Sequence, residues 1–429
     1  MREMKNSGVA WIGDVPENWE TIPNKYLMRK VKAICQKYSN ENVLSLTMNG
    51  VIKRDLDNPS GKMPSTFDGY QFVYAGNLLM CLFDIDVTPR CIGLIENDGI
   101  TSPAYSQFEL KRNAFNRYYY YYYLYLDNKK ELLHLAKNLR HSFTEEQFGQ
   151  ISTVVPPIEQ QHLIANQLDF FCKKVEDLIS NQEQQIEKLK QYKQSLITEV
   201  VTKGLNPDVP MKDSGVKWIG QIPEEWNLTS VRYIGSLQNG ISKSGEAFGT
   251  GYPFVCYGDI YKNYELPTMV AGLVETNEKE REQYSVEYGD VFFTRTSETI
   301  EEVGFSCVCK QTISNATFAG FVIRMRPYKA DEKILTNFAK YYFRGSQIRA
   351  YLVKEMNLVT RASLGQTLLK GMSVTIPPKE EQQKIATYLD NKCAKIDRLI
   401  AIKQEKIDKL NDYKKSLIYE YVTGKREVC

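Results

Sequence analysis

Histidine is scarce in this 429-residue chain, which has three, and its nine cysteines include no C-x-x-C pair; the nearest two are Cys307 and Cys309. Zinc ligation needs further Cys or His at short spacing, so no metal site is expected. Scattered cysteines fit a reducing compartment. No run approaches the ~20 apolar residues of a membrane span. The opening MREMKNSG has no apolar core of the kind a secretory leader needs, so a cytoplasmic location without membrane contact is expected. Net charge is also nearly absent, with 55 Lys and Arg against 52 Asp and Glu. A polyanion partner is permitted but not demanded.

Catalytic motifs are missing as well. No G-x-x-x-x-G-K-[ST] loop is present to cradle phosphates. Neither Asn58, Pro59 and Ser60 nor Asn206, Pro207 and Asp208 supply the Asn-Pro-Pro-aromatic loop that would hold a flipped base. Asp84 and Asp86 lack a nearby Glu-x-Lys partner for metal chemistry, and a solvated loop is the reading preferred there. The three histidines suggest no Ser/His/Asp or Cys/His arrangement. The chain is therefore read as non-catalytic, with no cofactor of its own.

What is present is repetition. Residues 156–204, opening PPIEQQHLIANQLD, return as residues 377–424, opening PPKEEQQKIATYLD, at an offset of 221. A Pro pair at the start and a Gly at the end predict one long helix in each copy. Apolar residues at alternating spacings of three and four give a heptad seam. In the first copy it is Ile164, Leu168, Phe171, Val175, Leu178, Leu189, Tyr192 and Leu196, widened by Ile179 and Ile186. In the second it is Ile385, Leu389, Ile396, Leu399, Leu410, Tyr413 and Leu417. Gln182 and Gln185 interrupt the first copy where Lys403 and Lys406 interrupt the second. Each seam asks for a partner helix, for which the other copy is the candidate; a surface helix on a globular domain is the alternative.

A second repeat, MKNSGVAWIGDVPENW at residues 4–19, returns as MKDSGVKWIGQIPEEW at residues 211–226 with an offset of 207. Trp11 and Trp218 read as packing anchors, the other reading being a direct ligand role. The segments between these repeats are dissimilar, so two units share a frame and differ in content. Some landmarks align. Gly76, Asn77 and Leu78 answer to Gly289, Asp290 and Val291, each ahead of a strand, and residues 252–261 read as a strand ending in a turn at Gly258 and Asp259. The run Tyr118 to Tyr123 would suit a base-stacking platform. A helix packing its aromatics on its own domain is preferred, with Tyr120, Tyr121 and Tyr122 opposite Tyr341, Tyr342 and Phe343 at offset 221. The same offset sets Arg140 and Ser142 against Arg361 and Ser363. An Arg fork and a Ser hydroxyl suit phosphate or guanine, which makes these four the candidate DNA contacts. A salt bridge and a helix cap would use the same residues.

The expected division is a first recognition domain at 1–155, a long helix at 156–204, a linker and second recognition domain at 205–376, a second long helix at 377–424 and a tail at 425–429. The expected fold class is α+β. Because the ends of a compact domain lie close together, the two helices should pair antiparallel, giving a nearly circular molecule with a pseudo-twofold axis. Two different heads at fixed separation suit a split, asymmetric DNA sequence. A tandem adaptor binding two protein epitopes is the alternative.

The frame GVKWIGQIPEEW, then IPPKEEQQKIATYLD, then KLNDYKKSLIYEYVTGK resembles the specificity subunit of type I restriction–modification systems, in both halves and over nearly the whole chain. The resemblance implies two target-recognition domains and two conserved helical regions. It implies double-stranded DNA as ligand, two methyltransferase subunits docking on the helices and two restriction-translocase subunits completing the complex. S-adenosylmethionine, ATP and Mg would belong to those partners. The family's Gly-Asp landmark is kept at Gly258 and Asp259 and at Gly289 and Asp290, but is Gly76 and Asn77 in the first unit.

Overall fold

The computed structural model describes residues 3–59, 61, 63–111, 113–136, 141–297, 303–355 and 362–428. Two helices dominate it: Ile158–Lys203, of 46 residues, and Lys379–Val422, of 44. The chain forms two compact units, one of Met1–Glu183 with Gln404–Cys429 and one of Gln184–Lys403, so each unit takes in part of both long helices. Among the described residues no helix is long and apolar enough to cross a membrane.

Within each unit the two helical segments run antiparallel. In the first, Phe171 stacks on Tyr421 with ring centroids 6.2 Å apart, and Glu176 accepts from Lys414 at 2.6 Å. As the residue number rises on one helix it falls on the other. In the second unit Gln185 accepts from Lys403, and Lys193 donates to Asp397 at 2.7 Å. The central polar residues thus do meet across the helix pair.

The seam differs from the expected one at four positions. Leu178 is 46% exposed and Leu399 48%, and Tyr192 and Tyr413 also face solvent. Strict alternation of four and three from Leu168 selects Cys172, Val175, Ile179, Gln182, Ile186, Leu189, Lys193 and Leu196, all buried or half-buried. In the second helix it selects Leu389, Cys393, Ile396, Ile400, Lys403, Ile407, Leu410, Lys414 and Leu417. Leu178 and Leu399 sit one residue, about 100° of helix, off that line. Of the other expected seam residues, Ile164, Val175, Ile385 and Leu389 are buried, and Phe171 flanks the seam half-buried. The polar interruption is part of the seam: Gln182 is buried on it, whereas Lys406 is exposed.

The end of each long helix explains the short repeat. Gly424 and Gly204 stop the helices at φ +69 and +79, backbone that a side chain would strain. A Cβ on Gly424 would lie 3.0 Å from the Trp19 ring, and one on Gly204 would lie 3.5 Å from the Trp226 ring. Both indoles are fully buried. Trp19 Nε1 donates to Gln160 at 2.8 Å, and Trp226 Nε1 donates to Glu381 at 2.9 Å. Each stub therefore wedges a Trp between the end of one long helix and the start of the other. Trp11 packs half-buried on the first core, and Trp218 stacks on Tyr351 at 4.6 Å.

Each head is built on a four-stranded antiparallel sheet. In the first unit the spatial order is Met28–Val31, Ser106–Leu110, Leu78–Met80, Ile92–Leu94. In the second it is Gly235–Asn239, Val322–Pro327, Val291–Thr294, Ser306–Val308, the same order along the chain. The landmark turn is also shared. Gly76 N–H donates to Ile95 O and Ile95 N–H to Asn77 O, while Gly289 N–H donates to Cys309 O and Cys309 N–H to Asp290 O. The Asp-to-Asn departure is matched by its neighbour. Buried Asp290 takes two bonds of 2.7 Å from Arg326, whereas Asn77 donates to Gln107 at 2.9 Å, an uncharged partner that stands in the register position of Arg324 rather than of Arg326. Burial pushes the Asp290 carboxyl up, against the pull of Arg326.

Two further expectations are corrected. Gly258 and Asp259 do not close a turn after a strand; they lie in the helix Tyr257–Lys262, where Asp259 accepts from Cys256 N–H at 2.8 Å and so caps the first turn. The tyrosine run forms the helix Asn116–Lys129, but its match to the second unit is shifted by one residue. Gln161 accepts from Phe115 N–H at 2.8 Å, and its repeat Gln382 accepts from Leu335 N–H at 2.7 Å. Tyr121 bonds Asp169, and Tyr341 bonds the repeat of that residue, Asp390. Tyr121, Tyr122 and Tyr123 are thus the counterparts of Tyr341, Tyr342 and Phe343. Most of the run is buried, with Tyr118 donating to Val422 O at 2.9 Å and Tyr123 to Asn24 at 2.6 Å. These rings form core and are closed to bases.

Candidate nucleic-acid interface

One end of each sheet gathers polar side chains from segments far apart in sequence. There the third strand in spatial order ends, the second begins, and the segment holding Ser142 or Ser363 crosses. Phe143 N–H donates to Leu82 O at 2.8 Å, and Leu364 N–H donates to Arg295 O at 2.8 Å. Leu82 and Arg295 each stand four residues after the first residue of their strand, Leu78 or Val291. Ser142 and Ser363 therefore occupy matching positions, in keeping with offset 221. Ser142 Oγ accepts from Asp84 N–H at 3.2 Å, and Ser363 Oγ lies 3.4 Å from Thr296 Oγ1. Arg140 and Arg361, the other two sequence candidates, lie outside the described residues.

The second unit presents further polar side chains at this end that the sequence alone does not single out. Arg295 donates from its backbone to Phe321 O at 2.9 Å, and its Nη1 lies 3.4 Å from Gly320 O. Phe321 is 60% exposed beside it. Asn239, at the end of the first strand, pairs with Gln366 through amides 2.9 Å apart, and a reversed Gln366 amide would also bond Leu237 O and Asn239 N–H. An Arg fork suits guanine, a carboxamide suits adenine, and Ser or Thr hydroxyls suit either base or phosphate. Arg295 could have been found as the polar residue straight after the apolar strand that the Gly-Asp landmark announces. Asn239 and Gln366 carry no local signal, because only the fold brings a strand end and a helix start 127 residues away together.

The first unit is different at this end. Phe83 takes the place of Thr296, is exposed and lies over Tyr105 with centroids 6.5 Å apart. Asp84 adopts φ 46, and Val87 is exposed. Arg90 and Lys130 are turned to the buried Asp127, at 3.8 and 2.9 Å. The two sheet ends thus share a scaffold and carry unlike side chains. Among the described residues no three His, Cys, Asp or Glu side chains come together as a metal site.

Comparison with known proteins agrees with this organisation. Residues 223–412 match the family described as the type I restriction modification DNA specificity domain. A Methanocaldococcus jannaschii protein provisionally named the type I restriction enzyme MjaX specificity subunit is 25% identical, over 74% of this chain and 70% of its own length. The EcoKI specificity subunit of Escherichia coli is 23% identical, over 73% of this chain and 65% of its own. The StySPI specificity subunit of Salmonella potsdam is 22% identical, over 69% and 62%. The chain thus spans a little under two thirds of the last two relatives. A chain from a solved structure of a type I R-M system, described for its assembly and conformational transition, superposes with a TM-score of 0.69. It is 14% identical and the match covers 95% of this chain and 98% of that one, so the fold is shared. The chain is thus similar to the specificity subunits of type I restriction–modification systems, and residues 223–412 match their DNA specificity domain.

Proposed function

We propose that this chain reads a bipartite, asymmetric double-stranded DNA target, one half-site per head, and performs no chemistry itself. The observation that carries this reading is the contrast between the sheet ends: identical strand order and turn, different side chains where bases would be met. In the second head Arg295, Thr296, Asn239, Ser363 and Gln366 would face base edges, joined by Arg361. In the first, Ser142 and Arg140 are the proposed contacts. The paired long helices would fix the unread gap and dock two methyltransferase subunits, with two restriction-translocase subunits completing the complex. S-adenosylmethionine, ATP and Mg would reside in those partners. Footprinting of the complex with its methyltransferase subunits tests this: two short protected motifs with a fixed gap are expected, and a single contiguous site would contradict it. A tandem protein-binding adaptor would instead leave DNA affinity and its salt dependence unchanged in Arg140→Ala and Arg361→Ala.

A further inference from the structure

Both long helices carry an aspartate that ties the head to the helix. Asp169 accepts from Tyr121 Oη at 2.6 Å and from Arg117 Nε at 2.7 Å, and Arg117 also lies 3.9 Å from Glu96. Asp390 accepts from Tyr341 Oη at 2.8 Å and from Lys340, which also donates to Glu265 at 2.7 Å. The two glutamates reach the same part of the head. Glu96 follows the sheet's edge strand Ile92–Leu94, and Glu265 forms a bridge with Val308 of the edge strand Ser306–Val308. In each unit a tyrosine and a cation therefore converge on the helix aspartate, and the cation continues to the edge of the sheet, by a hydrogen bond at Glu265 and by an ion pair at Glu96.

The aspartates and tyrosines are repeats of one another, but the cations and glutamates are not. Arg117 stands four residues before its tyrosine, and Lys340 stands immediately before its own. Glu96 comes after its edge strand in the sequence, and Glu265 comes before. Two dissimilar heads reach one connection by different residues, which argues that the connection is needed rather than carried along. Stability is a poor reason for it. The Lys340 side chain is only 7% exposed, and desolvation on that scale offsets most of the attraction it gains. Direction is a better reason: a hydroxyl and a cation converging on one carboxylate restrict sliding and rotation of the head on its helix, which apolar contact alone does weakly.

We propose that Asp169 and Asp390 are positioning residues that hold each head at one angle on its helix, and so confine the two half-sites to one spacing. This rests on the bipartite reading above. A gap change of one base pair rotates one half-site by roughly a tenth of a turn relative to the other. The test uses the full chain with its methyltransferase subunits and duplexes that keep both half-site motifs while the gap varies by one base pair either way. The unmutated complex should methylate one gap about tenfold or more faster than its neighbours, given the cost of misplacing reacting groups by ångströms. Asp169→Asn and Asp390→Asn should each reduce that preference to about threefold or less while the motifs stay the same. Tyr121→Phe and Tyr341→Phe, which remove one bond each, should reduce it in the same direction, and they decide the matter if an Asn variant does not fold. A gap preference within about twofold of the unmutated complex in every folded variant overturns the proposal, as does a changed motif with the gap preference intact. If the unmutated complex methylates all gaps alike, the bipartite reading fails instead.

Discussion

Asp290 and Arg326 share two parallel N–H···O bonds of 2.7 Å, with the carboxylate fully shielded from water. Removing the acid strands a guanidinium whose remaining carboxylate partner is the half-exposed Glu287. Asp290→Ala should destabilise the second unit by about 3–5 kcal/mol. Asn77→Ala, which removes the uncharged bond from the matching turn residue to Gln107, should cost about 1–3 kcal/mol. Urea unfolding of the two variants measures the difference, and equal losses would contradict the account of this turn.

Trp19 and Trp226 should be worth more than any residue on the helix surface. Each is fully buried beneath the glycine that ends a long helix. Replacing either by Ala should cost about 3–5 kcal/mol. Glu381→Gln recreates the Gln160 arrangement of the first unit and should cost under about 1 kcal/mol, because a carboxamide oxygen accepts the same indole N–H. Thermal melts of the three variants check the ordering.

Alkaline pH should loosen the first unit. Burial pushes the hydroxyls of Tyr118, Tyr119 and Tyr123 well above their ordinary value and that of Tyr122 to about 12. An unfolded chain releases these protons near pH ~10. Below that pH both states are protonated and the contribution is complete. As pH rises past it the unfolded state ionises first, so stability falls progressively towards and beyond pH 12. Unfolding midpoints measured between pH ~9 and ~11 should fall, and Tyr122→Phe should make the fall shallower.

At the sheet ends, substitutions should separate the two half-sites. Arg295→Ala, Asn239→Ala and Gln366→Ala should each weaken binding by about 1–3 kcal/mol and relax the base preference of one half-site, leaving the other unchanged. Ser142→Ala should affect only the opposite half-site. Competition binding with duplexes altered in one motif at a time reads this directly, and relaxation of both motifs by one variant would contradict the assignment of one head to each.

Much of this architecture was legible in the sequence because it is repeated. Long helices announce themselves by Pro at the start, Gly at the end and a 3.5-residue period, and two copies of each signal reinforce one another. Leu178 and Leu399 were misplaced because leucine suits an exposed helix position as readily as a seam, and only the continuous phase through Gln182 and Lys403 separates the two. The one-residue slip between Tyr121 and Tyr341 was invisible in low-complexity tyrosine; it was found through Gln161 and Gln382, whose partners number the two helices independently. Ser142 and Ser363 were located because they follow the repeat's own register. Asn239 and Gln366 were not, since the two stand 127 residues apart along the chain, one at a strand end and the other at the start of a short helix.

Methylation-sensitive sequencing of DNA modified by the chain together with its methyltransferase subunits tests the central claim most directly. Two different short motifs separated by a single gap length, with the second motif altered by Arg295→Ala and the first left intact, is the predicted result. One continuous motif, or methylation independent of sequence, would contradict the assignment of one half-site to each head.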